Sequence, residues 1–315
     1  MSHSHRLSLT GILLLLGLGI GWGINWPIMK YIISEIPLLS FRGFCLFFGG
    51  IGILALARLS GLSLRIPAGY MPKIIGICVF NIVGWNVMAT YGLSLLPAGR
   101  SALLGYTMPL WTVLLSVWIL REKFHLRIAL AMCLGIAGIM VLMSETLIQW
   151  LHTPLQTSLI SGVILMILAA WSWAFGTVLM KHWQVPLNSV ALTGWLLLFA
   201  SFPIIIAACV VEKLPEKMPP SLALWGVTYN LFIAFMFCYW AWVKLVTLVP
   251  VSVSSLSSLI TPLIGIISGI FLLGEKPGWP EWIAAGLILG AVAVVNVNTK
   301  SAQEKLPPNT DRNAH

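Results

Sequence analysis

Trp22, Asn25, Trp26 and Met29 follow the i, i+3, i+4, i+7 rule, so on a helix they share one face. They sit in a long apolar run. Similar groups recur in other apolar runs: Asn81, Trp85 and Asn86, then Tyr106, then Trp171 and Trp173, then Asn230, Tyr239 and Trp240. Ser254, Ser257, Ser258 and Thr261 repeat the helical spacing and form a hydroxyl stripe just before Pro262. These side chains offer amide and hydroxyl hydrogen bonds and aromatic faces. An amide in hydrocarbon needs a partner, so the asparagines must face protein or water. Two accounts compete for them, helix–helix bonding and the lining of a cavity. For the hydroxyl stripe the rival account is close helix packing. Interfacial belting explains Trp150, Trp183, Trp279 and Trp282, whereas Trp22, Trp26 and Trp85 lie deeper.

Acid chemistry is missing from the same depth. The one aspartate is Asp311, and every glutamate falls at a run's end or between runs. A proton relay built on a buried carboxylate is therefore not expected. No Ser–His, Cys–His or paired-carboxylate constellation converges at one depth, which argues against an enzyme. Cys45, Cys78, Cys133, Cys209 and Cys238 form no close pair, and the histidines lie in tails or at run ends, so neither a disulfide framework nor a metal site is expected. No nucleotide-binding loop is present, and no cofactor is called for. Lys30, Arg42 and Arg100 lie near the outer ends of their runs, where snorkelling or phosphate contact outweighs binding of a carboxylate.

Positioning these residues requires membrane helices. Of 315 residues, 59% are hydrophobic and only 9% are charged; the mean hydropathy is +0.96. Soluble domains carry about 25% charged residues. The net charge of +9 then speaks to orientation and anionic lipid rather than nucleic acid. Ten apolar segments are expected, at about 9–33, 38–59, 71–95, 98–120, 127–144, 157–181, 189–211, 221–247, 251–273 and 281–298. None shows the alternation of a barrel strand. The first is read as a retained span and not a cleaved leader.

The chain is duplicated. Pro97, Pro109 and Glu122 recur as Pro250, Pro262 and Glu275 at a constant spacing of 153. Trp22–Lys30 aligns with Trp173–Lys181, and Asn86–Pro97 with Tyr239–Pro250. The expected fold is all-α and integral to the membrane, with ten transmembrane helices as two inverted five-helix repeats, 1–148 and 149–298, and a polar tail at 299–315. Five spans per half is odd, so the halves must insert in opposite senses. With the N-terminus inside, twelve of the 18 basic residues lie on the cytoplasmic side. Pro109 and Pro262 are expected to kink their helices at matched depth. Glu122 and Glu275 are expected to cap a helix or pair with a loop.

These residues resemble the EamA-type transporters of the drug/metabolite transporter superfamily. The resemblance rests on WGINWPIMK, Arg42, Pro109 and the Leu-Arg-Glu and Leu-Gly-Glu ends at Glu122 and Glu275. Arg121 stands where the pattern usually has Gly, and Gly274 conforms. The resemblance implies a ten-helix bundle around a central cavity lined mainly by helices one, three, four, six, eight and nine, in a bacterial inner membrane. It implies secondary transport of small neutral or zwitterionic metabolites, amino acids or relatives, with export favoured over import. Drug efflux, a lipid-head-group flippase and a non-transporting scaffold are the rival readings. The expected partners are a small-molecule substrate and the lipid bilayer, with a homodimer left open and nucleic acid excluded. The cavity candidates are Trp22, Asn25, Trp26, Asn81, Trp85, Asn86, Tyr106, Trp173, Asn230, Tyr239, Ser254, Ser257, Ser258 and Thr261, with hydroxyls on one wall and Trp22, Trp26 and Trp85 towards the other.

Overall fold

A backbone in hydrocarbon must satisfy its polar groups internally, and apolar runs without alternation do so as helices. The computed structural model describes residues 9–121, 126–150, 157–213, 217–241 and 251–303, and among these the secondary structure is helical with no strand. The segments are α1 (Leu9–Glu35), α2 (Leu38–Leu59), α3 (Met71–Leu95), α4 (Ala98–Ile119), α5 (Leu126–Trp150), α6 (Thr157–Trp183), α7 (Ser189–Val211), α8 (Ser221–Ala241), α9 (Val251–Leu273) and α10 (Trp279–Gln303). Six of them, α2, α3, α4, α6, α7 and α8, are long and apolar enough to cross a bilayer within the described residues. The protein is a multi-pass membrane protein.

Prolines punctuate the chain. Pro37, Pro97 and Pro220 stand as extended residues immediately before α2, α4 and α8. There a missing N–H costs nothing and the fixed φ starts a helix. Pro109 and Pro262 behave differently from each other. α4 is broken, running Ala98–Gly105 and Met108–Ile119 with a turn at Tyr106 and Thr107, and Pro109 sits in the first turn of the second piece. α9 runs on as one helix through Pro262. The expected pair of matched breaks is thus a single break, because in α4 Pro109 starts a new piece while in α9 neighbouring helices accommodate the missing bond.

Helices two and seven meet almost backbone to backbone. A Cβ added at Gly50 would fall 2.7 Å from the Leu198 nitrogen, and one at Gly43 would fall 2.6 Å from Ile205 Cγ1. Lipid tails are as apolar as leucine, so this close contact, rather than release of water, holds the pair.

Packing between the halves is reciprocal. α2 packs on α7 and α5 on α10; α1 packs on α9, and α6 on α4; α1 packs on α8, and α6 on α3. Both third helices contain a π-helical stretch, Cys78–Gly84 in α3 and Asn230–Phe237 in α8. These two stretches lie at corresponding positions of the duplicated sequence.

The helix ends at one face are tied together by polar contacts. Gly274 takes a left-handed φ of 66° to end α9, with Gly274 N–H bonded to Ile270 O and Glu275 N–H to Gly269 O. The turn aims the Glu275 carboxylate at the start of α4, where it accepts from Ala98 N–H at 2.5 Å and Gly99 N–H at 3.1 Å. A Cβ at Gly269 would lie 2.6 Å from that carboxylate. Lys30 Nζ donates to the carbonyls of Leu93, Ser94 and Leu96 at 2.6, 3.0 and 2.8 Å, closing the end of α3. Arg100 pairs with Glu281, which also accepts from Gly278 N–H at 2.9 Å. Glu212 accepts from Leu39 N–H, Ser40 N–H and Ser40 Oγ at the start of α2. Snorkelling of Lys30 and Arg100 is therefore corrected to pairing inside the protein. Glu122 lies outside the described residues.

Candidate functional site: a central aromatic cavity

Each π-helical stretch adds a residue to a turn and leaves carbonyls poorly paired within the helix. Side chains from the first helix of the opposite half take them up. Trp22 Nε1 donates to Ala234 O at 3.1 Å, and Ser172 Oγ donates to Phe80 O at 2.7 Å. Tyr229 donates its hydroxyl hydrogen to Gly21 O at 2.9 Å. These bonds fix α1 against α8 and α6 against α3. After its π stretch, α3 turns Trp85, Asn86 and Ala89 inwards together.

The space they enclose is lined from α1 by Trp22, Asn25, Trp26 and Met29, from α2 by Arg42, and from α3 by Trp85, Asn86 and Ala89. Tyr106 and Met108 come from the break in α4, Trp173 from α6, and Ala234, Phe235 and Tyr239 from α8. Its free space, open mouth included, is about 590 Å3. Interrupting α4 at Tyr106 and Thr107 lets two side chains of one helix reach this space. Trp26 and Tyr106 are buried, whereas Trp22, Trp85 and Trp173 are half-buried.

The rings touch one another in a chain. Trp22 meets Tyr239 edge-on at 5.7 Å, Trp85 meets Trp173 at 5.4 Å, and Trp173 reaches Tyr239 at 6.3 Å. Trp22 and Trp173 are partners in the sequence duplication, and they flank the same tyrosine. Asn86 and Tyr239 are also duplication partners, and both line the cavity. Aromatic groups thus come from both halves and not from one wall.

Among the described residues one charge lines the cavity. Arg42 is only 4% exposed. Its Nε donates to Thr90 Oγ1 at 2.8 Å, its Nη1 to Asn230 Oδ1 at 3.5 Å, and its Nη2 to Met29 Sδ. The guanidinium carbon lies 5.2 Å from the Phe41 ring centre and 5.7 Å from that of Phe235. A guanidinium has five N–H donors, and three of these are placed on neutral acceptors. Among the described residues no carboxylate pairs with it. The expected snorkelling of Arg42 is therefore corrected: the side chain points inwards. Sequence position alone put it one turn into α2, close to the interface. The missed signal was local, since the duplicate position in the second half is Thr193, which needs no counter-charge.

Asn230 is fully buried and joins the wall from behind, donating to Asn25 Oδ1 at 2.5 Å. Asn25 in turn donates to Met29 Sδ at 3.5 Å. Thr90 passes its hydroxyl hydrogen to Asn86 O at 2.6 Å. Eight of the sequence candidates thus line the cavity: Trp22, Asn25, Trp26, Trp85, Asn86, Tyr106, Trp173 and Tyr239. Asn81 does not, because it bonds α6 through Trp173 O and Thr177 Oγ1 at 3.0 and 3.1 Å. Thr261 is buried and is not among the lining residues. Trp171 and Trp240 face outwards. The side chains of Ser254, Ser257 and Ser258 lie outside the described residues. Sequence reasoning missed Arg42, Ala89, Met108, Ala234 and Phe235 as lining groups. Among the described residues no cluster of three metal-ligating side chains occurs.

Comparison with known proteins agrees with this architecture. A solved structure described as "Crystal structure of protein" superposes with a TM-score of 0.63 at 19% identity, covering 93% of this chain and 97% of its own. That likeness shows the fold. "Uncharacterized transporter YvbV" of Bacillus subtilis (strain 168) is 30% identical over 303 residues, 93% of each chain. "Probable amino-acid metabolite efflux pump" of Salmonella typhimurium is 24% identical over 291 residues, 87% of this chain and 90% of the relative. The model of the EamA-like transporter family matches residues 9–144 and 160–297, one copy in each half. The chain belongs to the EamA-like transporter family, whose members are membrane transporters.

Proposed function

We propose that the protein is a secondary transporter of small zwitterionic or neutral metabolites that carry a carboxylate, amino acids or their relatives, and that it works by alternating access. The observation that carries this reading is Arg42, a buried guanidinium on the cavity wall with no carboxylate beside it among the described residues. Removing such a charge from water costs several kcal/mol unless something pairs with it. A planar fork suits a carboxylate from the solute. An amphipathic cation, the substrate of many drug pumps, would meet repulsion there.

Ten spans in two inverted repeats are supported by the odd number of helices per half, the reciprocal packing and the matched π stretches. On that plan the two halves rock about the central cavity, with the Lys30, Glu275 and Arg100 ties closing one end. The basic-residue count supports cytoplasmic termini, and the family supports placement in a bacterial inner membrane. Export is favoured by the relative named as an amino-acid metabolite efflux pump.

Flux of labelled solutes into proteoliposomes tests the reading. Saturable uptake of one or more small amino acids or amino-acid derivatives is expected, with counterflow from preloaded vesicles. Absence of saturable flux across a panel of carboxylated zwitterions would sink it, and movement of labelled lipid head groups alone would favour a flippase.

A further inference from the structure

A carboxylate at Arg42 leaves the other end of a zwitterion to be explained. We propose that Trp22, Trp85, Trp173 and Tyr239 form a cage for a methylated ammonium group, so that the favoured solutes are betaine-type zwitterions. The proposal rests on the reading of Arg42 as the carboxylate anchor.

Three observations support it. First, no aspartate or glutamate lines the cavity among the described residues, so an ammonium has no counter-charge from the protein. Second, three of the neutral acceptors around the cavity are engaged. Asn25 Oδ1 accepts from Asn230, and Asn230 Oδ1 and Thr90 Oγ1 accept from Arg42. A primary ammonium brings three N–H donors, and each one left unmet in a dry site is costly. A trimethylammonium has no N–H. Its charge is spread over methyl groups, which bind to aromatic faces through the ring quadrupole.

Third, the ring geometry is that of a cage. The four rings come from α1, α3, α6 and α8 and form one connected chain. Neighbouring ring planes are inclined at 82°, 64° and 47°, so their faces turn around a shared space and do not cover each other. Trp85 and Trp173 are only half-buried, and both line the cavity. The Phe235 ring is already paired with Arg42, which places the carboxylate end of the solute on that side and the cationic end on the tryptophan side.

The test is a binding series on the purified full-length protein in detergent, read by calorimetry. The probes are glycine, N-methylglycine, N,N-dimethylglycine, glycine betaine, and 3,3-dimethylbutanoate. The last replaces the betaine nitrogen by carbon and so removes the charge while keeping the shape. Affinity is expected to rise with each methyl, by at least about tenfold from glycine to betaine, and to fall about tenfold from betaine to 3,3-dimethylbutanoate. Trp173→Leu should shrink the betaine preference over the uncharged analogue. Betaine binding no tighter than glycine, or no tighter than 3,3-dimethylbutanoate, overturns the cage. If glycine or another amino acid then binds and is carried, the carboxylate-anchored transporter stands without it. If no carboxylate in the series binds and none is carried, the Arg42 reading falls and the cage with it.

Discussion

Arg42→Met should separate stability from transport, because the two depend on Arg42 with opposite signs. In the empty protein the guanidinium is nine-tenths or more buried and, among the described residues, is bonded to Thr90, Asn230 and Met29. The Thr90 bond at 2.8 Å is well formed, and a charged donor of that kind contributes about 1.5–3 kcal/mol. The 3.5 Å contact with Asn230 contributes little. Against this stands the desolvation of an unpaired charge, several kcal/mol. Replacing buried charges by apolar side chains of similar volume is commonly neutral or stabilising by about 1–4 kcal/mol. Methionine keeps most of the stem, so Phe41 and Phe235 keep a packing partner. The variant should therefore melt at or above the temperature of the unaltered protein in the same detergent. Loss of a charge-paired carboxylate costs about 2–5 kcal/mol, so apparent affinity for the transported zwitterion should fall by about 30-fold or more. Arg42→Lys should fall between, since it keeps the charge and loses the fork. Fluorescence-detected melting and proteoliposome uptake measure the two arms. A clear drop in melting temperature for Arg42→Met would make Arg42 a structural tie, and unaltered affinity would remove it from the site.

Glu275→Ala strips the start of α4 of both side-chain bonds and should destabilise by about 1–2 kcal/mol, while Glu275→Gln should recover part of the loss; equal melting of all three proteins would show the cap to be idle. Arg121 adopts a left-handed φ of 56° where its duplicate Gly274 has 66°, so Arg121→Gly should stabilise by about 1 kcal/mol, read as a higher melting temperature. With no carboxylate among the described lining residues, substrate flux should proceed without a pH gradient, and a strict requirement for one would point to a proton site elsewhere. A cysteine placed at Ile66 in a Cys-free background should resist an impermeant reagent in intact cells, and labelling from outside would reverse the orientation.

Span placement was legible because it depends only on where apolar runs stop. Breaks at Pro37, Pro97 and Pro220 coincide with helix starts, as the missing N–H and fixed φ dictate. The aromatic and amide part of the site was legible too, since Trp22, Asn25, Trp26 and Met29 keep helical phase up to the cavity. What escaped was whatever depends on a neighbour in space. Arg42, Lys30 and Arg100 look alike in sequence, each a cation near the end of an apolar run. One faces a cavity, one closes α3, and one pairs with Glu281, and only the packing of other helices decides among them. The π stretches were hidden for a similar reason, because a one-residue insertion in a helix leaves no compositional mark. Pro109 and Pro262 had matching sequence context but different outcomes, which shows how far surrounding helices set the result of a missing hydrogen bond.

The duplicated frame and the unequal site have different physical origins. Frame contacts use groups that both halves can supply: glycines at the α2–α7 crossing, and π-stretch carbonyls that accept from a first-helix side chain. Such contacts can repeat in both halves, and Trp22 and Trp173 flank Tyr239 from matching positions. A solute with distinct ends cannot be held by a symmetric wall. The first half supplies Asn25 and Arg42, and the second half has Gly176 and Thr193 at the duplicate positions. Gly176 is needed where it stands, because a Cβ there would lie 2.5 Å from the Asn81 nitrogen. The small residue lets α6 approach α3 closely, while its counterpart Asn25 reaches into the space. The first half thereby carries Arg42 and Asn25 on the cavity wall, and the ring chain is shared between the halves. On the proposed alternating-access plan, a near-symmetric scaffold rocks between two facing states while the polar groups, fixed mainly to one half, keep hold of the same end of the solute.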